Sequence, residues 1–405
     1  MKSLEKKTIP KLASEYECTA CLACENICPK HAIAHFTDED GHVYTRIDSD
    51  QCIGCLKCQN VCVASRNCVG VNDLSKSKIH AAWAQNVALR KVATSGGVFA
   101  ALAETVINNG GCVIGAELCG FECKHVVIDR SGDIHRLQGS KYMSSSMEDV
   151  YRIISKELAS RDVLFSGLGC QCAGVIAYFS DFQTNYHLYT VDLVCGGIPS
   201  RLLLDKFRTQ HPEAVGIVSF RSKAHYVLKI VTNEGFKDLL GRNLPLDGFN
   251  CGLTNRYNCY NCQYACAHRK TDMTIGDLWD QSLYPQEHSK GVSMVITHTG
   301  AGEDLLRNAA LECREIGWEG PLKANPRTFD GRTRVFYPRK RMVWLFEKLS
   351  EKSSASLYTM DIKPKQLLFY LFKIYRYLIQ RYERARSRKL VDCLLIEAKK
   401  NLRQM

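Results

Sequence analysis

Apolar residues change their rhythm twice along this chain. Over residues 1–75 they are sparse: "GHVYTRIDSD" reads as a short strand pair and turn between two cysteine-rich loops, and the polar "VNDLSKSK" (71–78) closes the unit as a linker. From residue 79 to 300, short apolar runs alternate with helical stretches. "VFAALAETVINN" (98–109) repeats at helical spacing, and "GCVIGAEL" follows as a strand. "MEDVYRIISKELAS" is an amphipathic helix leading into the buried strand "DVLFSG"; "CAGVIAYFSDF" is helical and "HLYTVDLVC" is again a strand. This alternation predicts an α/β layer architecture with at least partly parallel strands, α+β when the chain is taken whole. Beyond residue 320 the turn-rich "EGPLKANPRTFDGRT" leads into a basic, aromatic-rich helical tail. The expected units are a small module over 1–75, a larger α/β domain over 76–325 and the tail over 326–405.

The length, 405 residues, agrees with more than one core. No stretch approaches the ~20 apolar residues of a membrane span, and the charged opening lacks a signal-peptide core. The expected location is therefore cytoplasmic and reducing. There the 21 cysteines point to metal or redox chemistry and not to disulfides. They cluster, eight between residues 18 and 62 and four between 251 and 266, which scattered buried thiols would not do. The formal net charge of +12 implies anionic partners.

Both N-terminal clusters read C-x2-C-x2-C-x3-C. Cysteines at steps of three wrap a tight loop around one inorganic cube, and the fourth reaches the neighbouring cube. Cys18, Cys21, Cys24 and Cys62 are thus expected to hold one [4Fe–4S] cluster, and Cys52, Cys55, Cys58 and Cys28 the second. Zinc is the competing occupant, but its sites favour separated C-x2-C pairs closing on one ion. Residues 15–65 resemble a bacterial two-cluster ferredoxin. They depart from it where Val63, not proline, follows the second motif; Cys68 has no place in either quartet.

Further on, "ATSGGVFAALAE", "LQGSKYMSSSMEDV", "LFSGLGCQCAG", "VDLVCGGIPS", "NCYNCQYACAHRKTDMTIGDLW" and "KGVSMVITHTGAG" follow one another. In this order, over residues 80–300 and with the ferredoxin module attached, they resemble the beta-subunit family of coenzyme F-420 (deazaflavin) hydrogenases and dehydrogenases. The resemblance implies FAD beside an iron–sulfur cluster, and electron passage between one-electron carriers and a two-electron organic substrate. It also implies a third [4Fe–4S] ligand set, carried here by Cys170, Cys195, Cys259 and Cys262, with Cys172 and Cys266 as substitutes. Buried free thiols, or a zinc ribbon on Cys259, Cys262, Cys266 and His268, are the competing readings. Three positions depart from the family pattern: Gly169 stands for proline, Gly196 for histidine and Asp280 for glycine. "FRSK" supplies Arg221 and Lys223 of a family element without the glycine–tryptophan that usually follows.

Glycines just ahead of a helix let backbone N–H groups approach a phosphate, whose charge the helix end favours. Ser95, Gly96, Gly97, Gly139, Ser140 and Lys141, then Ser144 to Ser146, are accordingly candidate FAD contacts, although ordinary capped turns look alike. No G-x-G-x-x-G follows a strand, so no Rossmann site is indicated. The expected function is an iron–sulfur flavoprotein oxidoreductase. It would move electrons from ferredoxin or another acidic redox protein, through the clusters to FAD, and on to a small anionic organic acceptor. The alternative is an electron-transfer subunit with no substrate site of its own. No catalytic residue is assigned; Asp277 and His268 lie near the cysteine pair in sequence as candidate proton donors. In the tail, Arg376, Arg381, Arg384, Arg386, Arg388 and Lys389 among Tyr375, Tyr377 and Tyr382 fit peripheral membrane contact, an acidic partner or a plain solvated face. An oligomer is compatible with the sequence, and nucleic acid is not expected, since no binding motif accompanies the charge.

Overall fold

The computed structural model describes residues 8–64 and 74–325, apart from 222, 224, 225, 241, 242, 252 and 253. The tail over 326–405 and Cys68 lie outside the described residues.

In the N-terminal unit each cysteine loop ends in a short helix, α1 (Ala23–Asn26) and α2 (Lys57–Val61). The sequence duplication is visible in the backbone. Ala20 (φ 54°) and Leu22 (φ 59°) are left-handed, and so are their counterparts Gly54 (φ 70°) and Leu56 (φ 61°). Three of these four carry side chains, which costs roughly 1–2 kcal/mol per residue. That cost goes with turning the backbone N–H groups of Ala20 and Gly54 toward Cys18 Sγ (3.5 Å) and Cys52 Sγ (3.4 Å). Between the loops, β1 (Ile33–Thr37) pairs antiparallel with β2 (Val43–Ile47). The strand pair therefore begins ahead of "GHVYTRIDSD", which supplies only its second member.

The larger unit is built on an eight-stranded mixed sheet. Its strands are β3 (Lys78–Ala84), β4 (Cys112–Cys119), β5 (Glu122–Ile128), β6 (Val163–Leu168), β7 (Leu188–Leu193), β11 (Met273–Asp277), β12 (Ser293–Thr297) and β13 (Leu311–Glu315). The order is β13-β3-β12-β11-β7-β6-β4-β5, in which β11, β7, β6 and β4 run parallel and the flanks antiparallel. The missing numbers, β8 (Ala214–Ser219), β9 (Leu228–Thr232) and β10 (Gly235–Leu239), form a separate antiparallel sheet inserted between β7 and β11. The remaining helices are α3 (Val87–Val92), α4 (Val98–Asn108), α5 (Ile134–Leu137), α6 (Val150–Glu157), α7 (Gly169–Tyr178), α8 (Leu202–Gln210), α9 (Leu244–Cys251), α10 (Pro285–His288), α11 (Gly300–Asn308) and α12 (Glu319–Ala324). The α/β class expected from the sequence is what is found. The "EGPLKA" part of the expected turn-rich junction is α12.

Strand alternation divides the core into layers. Val113 and Leu164 face α4, α5 and α11, while their neighbours Ile114, Val163 and Phe165 face α6, α7 and the N-terminal unit. Cys21, Leu22, Ala23, Val61 and Val63 belong to that second core, so the two units share buried apolar surface. Polar contacts fix the seating. Tyr151 Oη donates to Cys21 O at 2.6 Å, Gln263 Nε2 to Val63 O at 3.0 Å and Ser200 Oγ to Asp40 O at 2.5 Å, and Arg256 donates to Val43 O. Gly174 of α7 permits the approach: a Cβ there would lie 2.8 Å from both Cys21 Cβ and Tyr151 Oη. Among the described residues no helix is long and apolar enough to cross a membrane.

Candidate iron–sulfur and cofactor site

The structure places Cys18, Cys21, Cys24 and Cys62 around one small cavity and Cys28, Cys52, Cys55 and Cys58 around another. In each the fourth cysteine comes from the other motif. Among the described residues no three Cys, His, Asp or Glu close tightly enough to hold a single metal ion. Burial pushes the Cys21 thiol up to about 11, and burial followed by the charges of Cys21, Cys18 and Cys62 pushes Cys24 higher still. Such thiols give up their protons to a cation placed among them, which is how a cluster is bound. The donor set and the N–H groups aimed at its sulfurs fit iron–sulfur clusters.

The second core carries a further thiol group. Cys170 opens α7 at the end of β6, Cys195 lies two residues beyond β7, and Cys259 and Cys262 sit on and just after a 3-10 turn (Tyr257–Asn261). Burial raises Cys170 well above the ordinary thiol range, and the charges of Cys262, Cys195, Cys259 and Cys21 add to that. Cys195 is pushed to about 11 and Cys259 to about 12, burial again leading in both. The four residues implied by the resemblance thus gather from separate loops, and Cys21 of the first set is their neighbour. Arg256, 2 % exposed, lowers both Cys18 and Cys259 and so lies between the two sets. Both substitutes turn elsewhere. Cys172 faces Val191 O at 3.9 Å, and Cys266 donates to His268 O at 3.0 Å.

Beside Cys195 opens a cavity of about 390 Å³, within the ~300–1,000 Å³ usual for small-molecule sites. Part of its lining is the start of α4 with Thr94, Ser95 and Gly97 (φ 84°); another part is Gly139 (φ 87°), Ser140 and Lys141. The N–H groups of Gly139, Ser140 and Lys141 donate to nothing among the described residues. Lys141 Nζ donates to Leu137 O and Gln138 O, both at 2.8 Å, and burial pushes it down to about 8. Unused N–H groups, a lysine and a helix N-terminus suit a phosphate-bearing group such as FAD. Gly96 is not on the lining: its N–H donates to Ser293 Oγ at 2.9 Å, and it packs where a Cβ would lie 2.5 Å from Ala82 O. Ser144 lines a different, smaller pocket, while Ser145 takes the cavity position and accepts from Gln171 Nε2 at 3.0 Å.

The departures from the family pattern have local causes. A Cβ on Gly169 would stand 3.1–3.3 Å from Tyr264 Cβ, Arg269 Nη1 and Asp192 Oδ2, so the buried pair Arg269–Asp192 (3.0 Å) occupies that space. A Cβ on Gly196 would stand 3.0 Å from the Phe249 ring, which stacks on Tyr142 at 3.9 Å between centroids. Asp280 caps its own turn, accepting from Ser282 N (3.0 Å) and Ser282 Oγ (2.5 Å). Of the two acids considered, Asp277 lines the cavity but is held by Arg221 (2.8 and 3.1 Å), and His268 bonds Ser77 Oγ (2.9 Å) away from it. Lys223 donates to Arg90 O at 2.5 Å. Sequence reasoning missed Arg269, Asp192 and His125. The His125 ring lines the cavity, stacks on Phe165 (5.2 Å) and is pushed down to about 4 by burial.

Comparison with known proteins bears on both units. Residues 17–65 match the 4Fe-4S dicluster domain. Residues 160–316 match the family described as the carboxy-terminal part of the Coenzyme F420 hydrogenase/dehydrogenase beta subunit. No curated protein matches. Among solved structures, a chain of the xenon-derivatised F420-reducing [NiFe] hydrogenase complex from Methanosarcina barkeri is similar at 17 % identity and a TM-score of 0.43, over 68 % of this chain and 94 % of that one. The resemblance drawn from the sequence therefore holds in both of its parts, and the N-terminal unit is an iron–sulfur electron-transfer module.

Proposed function

We propose that this chain is an iron–sulfur flavoprotein oxidoreductase that exchanges single electrons with a carrier protein and electron pairs with a small anionic organic compound. One observation carries the reading. Cys195 belongs to the third thiol group, and the same residue lines the 390 Å³ cavity. Cys21, a neighbour of Cys170, ties that group back to the dicluster module. When bound, four-iron clusters supply one-electron steps and FAD the conversion to two-electron chemistry.

The chain's own residues have separable tasks. Cys170, Cys195, Cys259 and Cys262 would hold the third cluster. The N–H groups of Gly139, Ser140 and Lys141 and the start of α4 would bind the anionic part of FAD. Arg221 fixes Asp277 and lies 5.6 Å from the Trp279 ring centroid, which sets the cavity rim. Asp277 is occupied by that guanidinium and is not assigned as a proton donor.

Trp279 (48 % exposed) and Tyr226 (44 % exposed) leave the rim open, which also suits a subunit that completes its site against a partner. Turnover of the isolated chain with artificial donors and small acceptors separates the two readings. The primary test is anaerobic purification with iron, sulfide, zinc and flavin quantified. About twelve irons and one flavin per chain are expected from three four-iron clusters. About eight irons would remove the third cluster, and absent flavin would remove the flavoprotein reading. An anionic acceptor also requires activity to fall with salt; a flat profile would speak against it.

A further inference from the structure

The two halves of the dicluster module meet different surroundings. The first thiol set is walled in by α6, α7, Tyr151 and Arg256. In the second, Cys55 is exposed, and its loop neighbours Ile53 and Leu56 are 54 % and 36 % exposed. Ile53 lines the thiol cavity as well, so the sulfur site comes to the surface at this loop. Around this apolar spot stand Lys11, Lys30 and Lys57, all exposed, and none has an ion-pair partner among the described residues. Two acids precede the spot on the same loop, Asp50 and Asp48, and Asp48 accepts from the N–H groups of Asp50 (2.9 Å) and Gln51 (3.4 Å) and from Gln51 Nε2 (2.8 Å).

An exposed apolar centre with three unpaired lysines at its rim is the chemistry of a weak, electrostatically steered electron-transfer contact. We propose that the face formed by Ile53, Cys55 and Leu56, with Lys11 and Lys57 at its rim, docks an acidic one-electron carrier protein. The face belongs to the second set, whereas it is the first that adjoins the third thiol group through Cys21. Each encounter moves one electron between the carrier's metal centre and the second cluster, so one centre is oxidised as the other is reduced, and no bond is made or broken. The proposal deepens the partner named above, yet rests only on the dicluster module. It therefore survives if the third cluster or the flavin proves absent.

The test is stopped-flow electron exchange between the full chain and a plant-type [2Fe–2S] ferredoxin as the acidic probe. The reaction starts from reduced probe, or from reduced chain where equilibrium lies that way. Wild type should slow steeply as salt rises. Lys11→Glu/Lys57→Glu should lower the second-order rate constant about ten-fold or more at low ionic strength, within the range of electrostatic steering. With the cationic methyl viologen radical, the same variant should react at an unchanged or higher rate. Unaltered iron content and cluster spectra in the variant exclude damage to the site. A wild-type rate flat in salt, or a double variant as fast as wild type with ferredoxin, overturns the proposal.

Discussion

Two kinds of thiol site stand side by side in this chain, one written contiguously and the other assembled. Cys18 to Cys62 carry two sets in local loops whose left-handed backbone, at Ala20, Leu22, Gly54 and Leu56, goes with N–H groups of Ala20 and Gly54 turned toward the sulfurs. Cys170, Cys195, Cys259 and Cys262 converge only once β6 and β7 lie parallel and the turn at Tyr257–Asn261 has folded against them. The contiguous sites need little from the rest of the fold, whereas the assembled one is a product of it. Removing a ligand should expose that asymmetry most strongly.

Cys262→Ala is expected to cost about four irons and leave about eight, with the dicluster spectrum intact. Cys58→Ala should instead deplete iron from the module and leave the assembled set filled. Iron analysis with low-temperature EPR on both variants decides it. If Cys262→Ala kept about twelve irons, the assembled set would not be a cluster site.

This asymmetry also governs what could be read from the sequence. The grouping of the two local motifs was legible because ligand spacing is a property of a short loop. Parallel strands were legible from the alternation of "DVLFSG" and "HLYTVDLVC" with helices. The third group was legible only by resemblance, since no spacing rule links Cys170 to Cys262 across the inserted sheet of β8, β9 and β10. Only some of the candidate contacts line the cavity, for a related reason. "SGG" and "GSK" announce turns, but which atoms face a cavity is set by the sheet: Gly96 is claimed by Ser293, and Ser145 takes the lining position expected of Ser144. His125 and the Arg269–Asp192 pair gave no signal, because a single histidine or aspartate on a strand reads as an ordinary residue until its burial is known.

That pair offers the next test. Asp192 is fully buried, with Arg269 Nη1 at 3.0 Å, and Arg269 also donates to Leu193 O at 3.1 Å. Both charges act on Cys195 and Cys262, Arg269 lowering their pKa and Asp192 raising it. Breaking a buried ion pair costs about 3–5 kcal/mol, so Asp192→Asn and Arg269→Gln should both lower the melting temperature. The reduction potential of a cluster held by the third thiol group should move in opposite directions, upward when the aspartate is lost and downward when the guanidinium is lost. EPR-monitored titration reads both. Shifts of the same sign would mean that the pair only supports the fold.

The seam between the two kinds of site should be less costly to disturb. Gly174→Ala puts a methyl group 2.8 Å from Cys21 Cβ and from Tyr151 Oη, and 3.0 Å from Cys21 Sγ. Overpacking of this sort costs about 1–3 kcal/mol. Denaturation should show that loss with iron content preserved. Electron transfer from module to cavity should slow, because the helix has to back away from the first set. An unchanged transfer rate would show that the seam is not the route.

The smallest effect separates the two local sets from each other. Thr45 Oγ1 lies 3.6 Å from Cys24 Sγ, and the hydroxyl offsets part of the upward push that burial and Cys21 give that thiol. As a ligand Cys24 is a thiolate, so the hydroxyl becomes the donor and stabilises negative charge on sulfur. Hydrogen bonds to sulfur are one determinant of cluster potential, and reduction adds charge to those sulfurs. Thr45→Val keeps the shape of the side chain and removes the donor, which disfavours the reduced state of the first cluster alone. Its potential should fall slightly while that of the second set, which Thr45 does not touch, stays put. Equal movement of both potentials would mean that duplicated motifs, once folded, behave as one electrostatic unit. Movement of the first alone would show that surroundings, not the cysteine spacing they share, distinguish them.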